Sequence, residues 1–151
     1  MGTWVTRTCV DTRPERVLSL LTDPAACASW SPVPFEVRKL DGDRLLAGRS
    51  AQLAGRIAGK EVAFDVDFLE AGEGAFALRA RGPFEIDARY EAVEGCRNTE
   101  LRASVSIRGT GGFLGRLAAR AAEGMLAAGA LDKALYRIAR AAESPFPAIA
   151  G

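Results

Sequence analysis

From Glu61 to Phe68 apolar and polar positions alternate: Val62, Phe64, Val66 and Phe68 fall on one phase, Glu61, Ala63, Asp65 and Asp67 on the other. Successive side chains of an extended chain point to opposite faces, so this segment predicts a half-buried strand with a wholly apolar inner face. The pattern returns three times. Phe76, Leu78 and Ala80 alternate with Arg79 and Arg81. Phe84, Ile86, Ala88 and Tyr90 alternate with Glu85, Asp87, Arg89 and Glu91. Leu101, Ala103, Val105 and Ile107 alternate with Glu100, Arg102, Ser104, Ser106 and Arg108. The turn-forming runs Ala71-Gly72-Glu73-Gly74 and Gly95-Cys96-Arg97-Asn98 separate these strands as hairpin connections do.

Upstream, Trp4 to Val10 predicts a first strand, and Thr12-Arg13-Pro14-Glu15 matches a capping box with proline in the first turn of a helix running to about Leu21. Asp23-Pro24 then supplies the cap of a second short helix ending near Trp30, and Ser31-Pro32-Val33-Pro34 must be a loop. Phe35–Leu40, a turn at Asp41-Gly42-Asp43, and a return strand from Leu45 to about Ala54 make a hairpin. Downstream, Leu114, Leu117, Ala121, Met125, Ala128, Leu135, Ile138 and Ala142 recur every three or four positions, predicting one amphipathic helix from about Phe113 to Glu143. Such a helix would be about 45 Å long, longer than any single strand here.

This order predicts an α+β fold: a curved antiparallel sheet of six to seven strands wrapped around a long C-terminal helix, with two short helices after strand one. One domain over residues 1–144 and a tail over 145–151 account for the chain. A sheet gripping a helix encloses a pocket, and pockets are mostly apolar with a few placed polar groups. The expected task is holding a small hydrophobic molecule.

Charge and cysteine content narrow the alternatives. Twenty basic against 19 acidic residues, without a run of like charge, disfavour a nucleic-acid partner. Cys9, Cys27 and Cys96 have neither a CxxC nor a framework spacing, and no secretory leader pattern opens the sequence. Separate small apolar thiols in a reducing cytoplasm are therefore expected. The weakly charged stretch from Ala121 to Leu131 is too short to span a bilayer. Any membrane contact is expected to be peripheral, and the chain to be a monomer or a homodimer.

The absence of histidine removes the commonest proton shuttle and zinc ligand, and with it every Ser-His or Cys-His pair. No metal and no cofactor are expected. Gly55-Arg56-Ile57-Ala58-Gly59-Lys60-Glu61 lacks both the spacing and the hydroxyl of a phosphate-binding loop. Gly109-Thr110-Gly111-Gly112, between Arg108 and Arg116, could receive an anion at a helix start, or serve as a strand-to-helix hinge. Asp65 and Asp67 share the charged strand face, where a solvated pair is the expectation. Three polar groups fall in apolar phases: Arg49, Tyr90 and Asp132. Arg49 could hold a carbonyl or enolate oxygen, oriented by Asp132, while Tyr90 donates a proton. As structural residues they would instead snorkel or satisfy nearby backbone.

The run Thr12-Arg13-Pro14-Glu15-Arg16-Val17-Leu18, followed by Leu21-Thr22-Asp23-Pro24 and closed by Trp30-Ser31-Pro32, resembles the opening of the START-like superfamily SRPBCC, and within it the polyketide cyclase/dehydrase and lipid transport branch. Gly55–Lys60 and Gly109–Gly115 also resemble, more weakly, a small accessory subunit of carbon monoxide dehydrogenase. The resemblance implies a helix-grip fold that binds lipids, quinones or aromatic intermediates between helix and sheet, with cyclisation or dehydration in a minority. It puts Trp30 beside the cavity mouth. The lining expected here is Trp30, Phe64, Phe68, Phe76, Ile86, Tyr90, Ala121, Met125, Ala128 and Leu135. An aromatase/cyclase using Arg49, Tyr90 and Asp132, or an accessory interaction protein with a collapsed pocket, are the alternatives.

Overall fold

The computed structural model describes residues 2–23, 35–40, 47–57, 60–72, 74–109 and 112–143. Its strands are β1 (Gly2–Val10), β2 (Phe35–Leu40), β3 (Ser50–Ile57), β4 (Lys60–Gly72), β5 (Ala75–Arg81), β6 (Phe84–Gly95) and β7 (Asn98–Gly109). Its helices are α1 (Pro14–Leu21), α2 (Phe113–Ala127) and α3 (Ala130–Glu143). The strands form one antiparallel sheet in the order β1-β7-β6-β5-β4-β3-β2. From β2 to β7 each strand pairs with its neighbour in sequence, while β1 crosses over to pair with β7. With the C-terminal helices against its inner face, this is the helix-grip α+β fold that the order of patterns predicts.

Alternation decides which face is covered. Phe64, Phe76, Phe84 and Leu101 are at most 1% exposed, whereas Asp65, Arg81 and Arg102 on the opposite phase reach solvent. In β4 the register shifts between Phe68 and Glu70. The irregularity turns Leu69 outward, 50% exposed, and lets both Phe68 and Ala71 pack on the inner side. Helix α2 lies against β7, β6, β1 and β3, and α3 against β1, α1 and β7. A helix of 15 residues therefore crosses the inner face between strands that stand first and sixth in the sheet order. Among the described residues no helix is long and apolar enough to cross a membrane.

The structure differs from the sequence reading at four places. Helix α1 starts at Pro14 with Arg13 as its N-cap and no side-chain cap bond, so the capping box does not form. Thr12 instead accepts the Thr99 hydroxyl on its carbonyl at 2.5 Å, tying the helix entry to β7. Strand β3 runs from Ser50 to Ile57, later than expected, because Ile57 pairs with Lys60 and the hairpin closes there.

The single long helix is interrupted at Ala128-Gly129. Gly129 adopts φ +96°, donates its N–H to Leu126, and accepts from Lys133 as the next helix begins. A left-handed glycine ends a helix at almost no steric cost, which is why the break falls there. The expectation of separate thiols is also corrected: Cys9 and Cys96 form a disulfide. The second short helix with Trp30, Cys27, and the turn at 41–43 lie outside the described residues.

Candidate ligand-binding site

Strand register sorts the inner face into cross-strand rows. The Arg49 carbonyl accepts the Phe68 N–H at 3.0 Å, which sets Arg49 opposite Phe68 at the end of the β3–β4 ladder. From Phe68 the row continues through Leu78, Ala88 and Val105 to Trp4. On one side runs Ala51, Val66, Ala80, Ile86, Ile107 and Gly2; on the other run Ala71, Phe76, Tyr90, Ala103 and Thr6. Residues two apart on a strand share a face, so all three rows look toward the helices.

One part of this surface is closed. The Phe68 and Phe76 rings stack with centroids 5.9 Å apart, and Tyr90 lies 6.3 Å from Phe76. Phe64 meets Phe84 edge to face at 5.1 Å, the arrangement that the ring quadrupoles favour. Phe64, Phe68, Phe76 and Tyr90 are all at most 3% exposed. Another part is open: Leu53, Leu78 and Ile86 point inward from β3, β5 and β6, and Ala121 and Met125 face them from α2, yet all five stay only partly buried. Apolar side chains on an inner face that still meet solvent leave room between sheet and helix. Arg49, half-buried in the same phase, supplies a charge at the end of that apolar row.

The other expected residues fall in different places. Asp132 is exposed on the first turn of α3, where its carboxylate accepts the Thr6 hydroxyl. Thr6 shares a row with Tyr90 but lies on β1, so Asp132 serves that edge and does not orient Arg49 beside β3. Ala128, expected in the lining, sits at the helix break and is exposed, because the break ends the periodicity that would have turned it inward. Leu135 is 1% exposed on α3, the helix packed on β1 and α1, and belongs to the core. Trp30 lies outside the described residues. Leu53 and Leu78 were not expected in the lining, although the alternation that marks Phe64 and Phe76 also marks them.

The outer face carries a network of ion pairs. Asp67 accepts from Ser50 at 3.1 Å and from Arg81 at 2.9 Å, which makes it a partner of surface groups. Arg79 donates to Asp87 at 2.7 Å, and that hydrogen bond holds the guanidinium above its ordinary pKa. Arg108 reaches both Asp87 and Glu85, and Arg89 pairs with Glu70. Exposed pairs of this kind add little stability singly, but they leave the charged phase of the sheet accounted for.

Among protein families, the profile described as "Polyketide cyclase / dehydrase and lipid transport" matches residues 2–143. None of the curated proteins compared matches the chain. Among solved structures, an aromatase/cyclase from Streptomyces sp. R1128 is similar with a TM-score of 0.72 at 18% identity, covering 99% of this chain and 98% of that one. A protein of Chromobacterium violaceum is similar at 0.69 and 16% identity, over 95% of this chain and 99% of that one. One from Thermus thermophilus is similar at 0.68 and 18% identity, over 95% and 100%. At these identities the likeness establishes a shared fold.

Proposed function

The chain belongs to the polyketide cyclase/dehydrase and lipid transport family, and from that premise we propose that it holds a small hydrophobic molecule, a lipid, quinone or aromatic polyketide-like compound, between α2 and the sheet. One observation carries the reading: Leu53, Leu78, Ile86, Ala121 and Met125 face one another across the inner side while remaining partly accessible. Left empty, such apolar surface stays in contact with water, and a ligand that covers it gains the free energy of burial. The stacked Phe68, Phe76 and Tyr90 form a wall beside this opening. Arg49 would receive a polar head or carbonyl at its end.

The test is titration of the purified protein with N-phenyl-1-naphthylamine, together with native mass spectrometry of protein from its own host. Leu78→Trp and Ala121→Trp fill the space and should each weaken the probe by about tenfold. Undiminished binding in both variants, with unchanged melting temperature, would refute the site.

A second reading, cyclisation or dehydration of a polyketide-like chain, is favoured by the position of Arg49 opposite Phe68, in the row beside buried Tyr90. Arg49 would stabilise an enolate oxygen and Tyr90 supply a proton, without help from Asp132. Arg49→Lys and Tyr90→Phe would then abolish turnover and spare stability. A protein that emerges empty and refuses the probe would instead be an accessory interaction protein. The cytoplasmic placement read from scattered thiols is weakened by the Cys9–Cys96 bond, since disulfides persist in oxidising compartments.

A further inference from the structure

Helix α2 has two faces of different chemistry. Its inner face, Gly115, Ala119, Ala122 and Leu126, is buried. On its outer face Phe113, Arg116, Leu117 and Arg120 follow at the i, i+3, i+4, i+7 spacing of one helical stripe, and all four are exposed, Phe113 at 71% and Leu117 at 48%. From Gly112 through Ala122 there is no acidic residue. Helix α3 is different: its exposed positions Asp132, Lys133, Arg137, Arg140 and Glu143 mix both signs, as a solvated face does.

The arginines differ in their surroundings as well. Arg7, Arg79, Arg81, Arg89, Arg102 and Arg108 on the sheet each pair with a carboxylate. Among the described residues no carboxylate pairs with Arg116 or Arg120. Two large apolar side chains between two uncompensated guanidinium groups match an anionic lipid surface, which takes the ring and the leucine into its headgroup boundary and the arginines onto its phosphates.

We propose that the Phe113–Arg116–Leu117–Arg120 stripe docks the protein on an anionic bilayer. The proposal rests on the hydrophobic-ligand reading above and deepens it, because Ala121 and Met125, which flank the stripe on the same helix, border the open part of the inner face. Left-handed glycines bracket the helix, Gly112 at φ +87° and Gly129 at φ +96°, and a Cβ added at either meets nothing within 4 Å. The lipid-facing helix is thus joined to the sheet and to α3 through open, permissive joints, and a hydrophobic molecule leaving the bilayer meets the site at its edge.

Co-sedimentation of the full chain with vesicles tests this. The protein should bind vesicles containing about 30% phosphatidylglycerol, bind neutral phosphatidylcholine weakly, and release as salt rises from about 50 to about 500 mM. Arg116→Gln and Arg120→Gln should each lower the affinity about fivefold. Phe113→Ser/Leu117→Ser should lower it about tenfold or more. All these exposed-site variants should keep the wild-type melting temperature and bind N-phenyl-1-naphthylamine in solution as the wild type does. Equal binding of wild type and variants to vesicles, or none by the wild type, overturns the docking surface. Light scattering that shows a dimer dispersed by Phe113→Ser assigns the stripe to a second copy and overturns it too. Loss of the soluble probe in the wild type itself would count against the ligand reading and not against docking.

Discussion

Removing the Cys9–Cys96 cross-link should cost more stability than any single apolar truncation in this protein. The two cysteines are 87 residues apart in sequence. Closing a loop of that length in the unfolded chain removes conformational entropy worth about 4.6 kcal/mol at room temperature in the chain-entropy treatment. Cys9 is half-buried and Cys96 exposed, so serine at both positions opens no cavity and the loss comes from the unfolded state. The native ladder from Gly2–Ile107 to Val10–Thr99 holds the two ends in place without the bond, so the reduced protein should still fold. The assay is urea unfolding by far-UV circular dichroism of Cys27→Ser against Cys9→Ser/Cys27→Ser/Cys96→Ser, which leaves only the bond of interest as a variable. For a chain of this size the melting temperature should fall by roughly 9–18 °C. The slope with urea should rise, because an uncross-linked chain exposes more surface. Three reactive thiols in air-purified protein, or identical urea midpoints, would refute the pairing.

Two glycine substitutions should move stability in opposite directions. A Cβ at Gly82 would lie 2.5 Å from the Ala63 carbonyl oxygen and 2.7 Å from the Phe64 ring, which is itself fixed against Phe84. Neither can move away freely, so Gly82→Ala should destabilise by about 3 kcal/mol in thermal unfolding, and a loss below about 0.5 kcal/mol would refute the packing of this turn on β4. Gly124 is exposed within α2 and a Cβ there meets nothing within 4 Å, so Gly124→Ala should stabilise by about 1 kcal/mol, and a decrease in the same measurement would show that the helix is held differently.

Strands β4 to β7 were legible in the sequence because each sets large apolar groups on one phase and charge on the other, a pattern that only one orientation of a half-buried strand satisfies. The core aromatics Phe64, Phe68, Phe76 and Tyr90 followed from it directly. The helix break was not legible, because Met125, Ala128 and Leu135 keep a helical spacing across Gly129 and periodicity is blind to a local reversal of φ. Ala128 was misplaced for that reason alone. The disulfide was not legible from spacing, since Cys9 and Cys96 meet only because β1 crosses to β7. Asp132 shows the same limit. Its place on the helical stripe was readable, but its partner Thr6 belongs to a strand more than a hundred residues earlier, and only the sheet order brings them together.

The crossing of β1 to β7 also has a consequence for how the protein is made. Residues 2–10 leave the ribosome first, yet the strand they pair with, residues 98–109, emerges only after every other strand of the sheet. Until then Trp4 and Val10 have no ladder to join, and hairpins β3 to β7 can close in turn while the first strand waits. Pairings this distant in sequence are slow to form, and the waiting strand presents an open edge to other nascent chains. A chain stopped before β7 is therefore an unfinished sheet, with its first strand still unpaired.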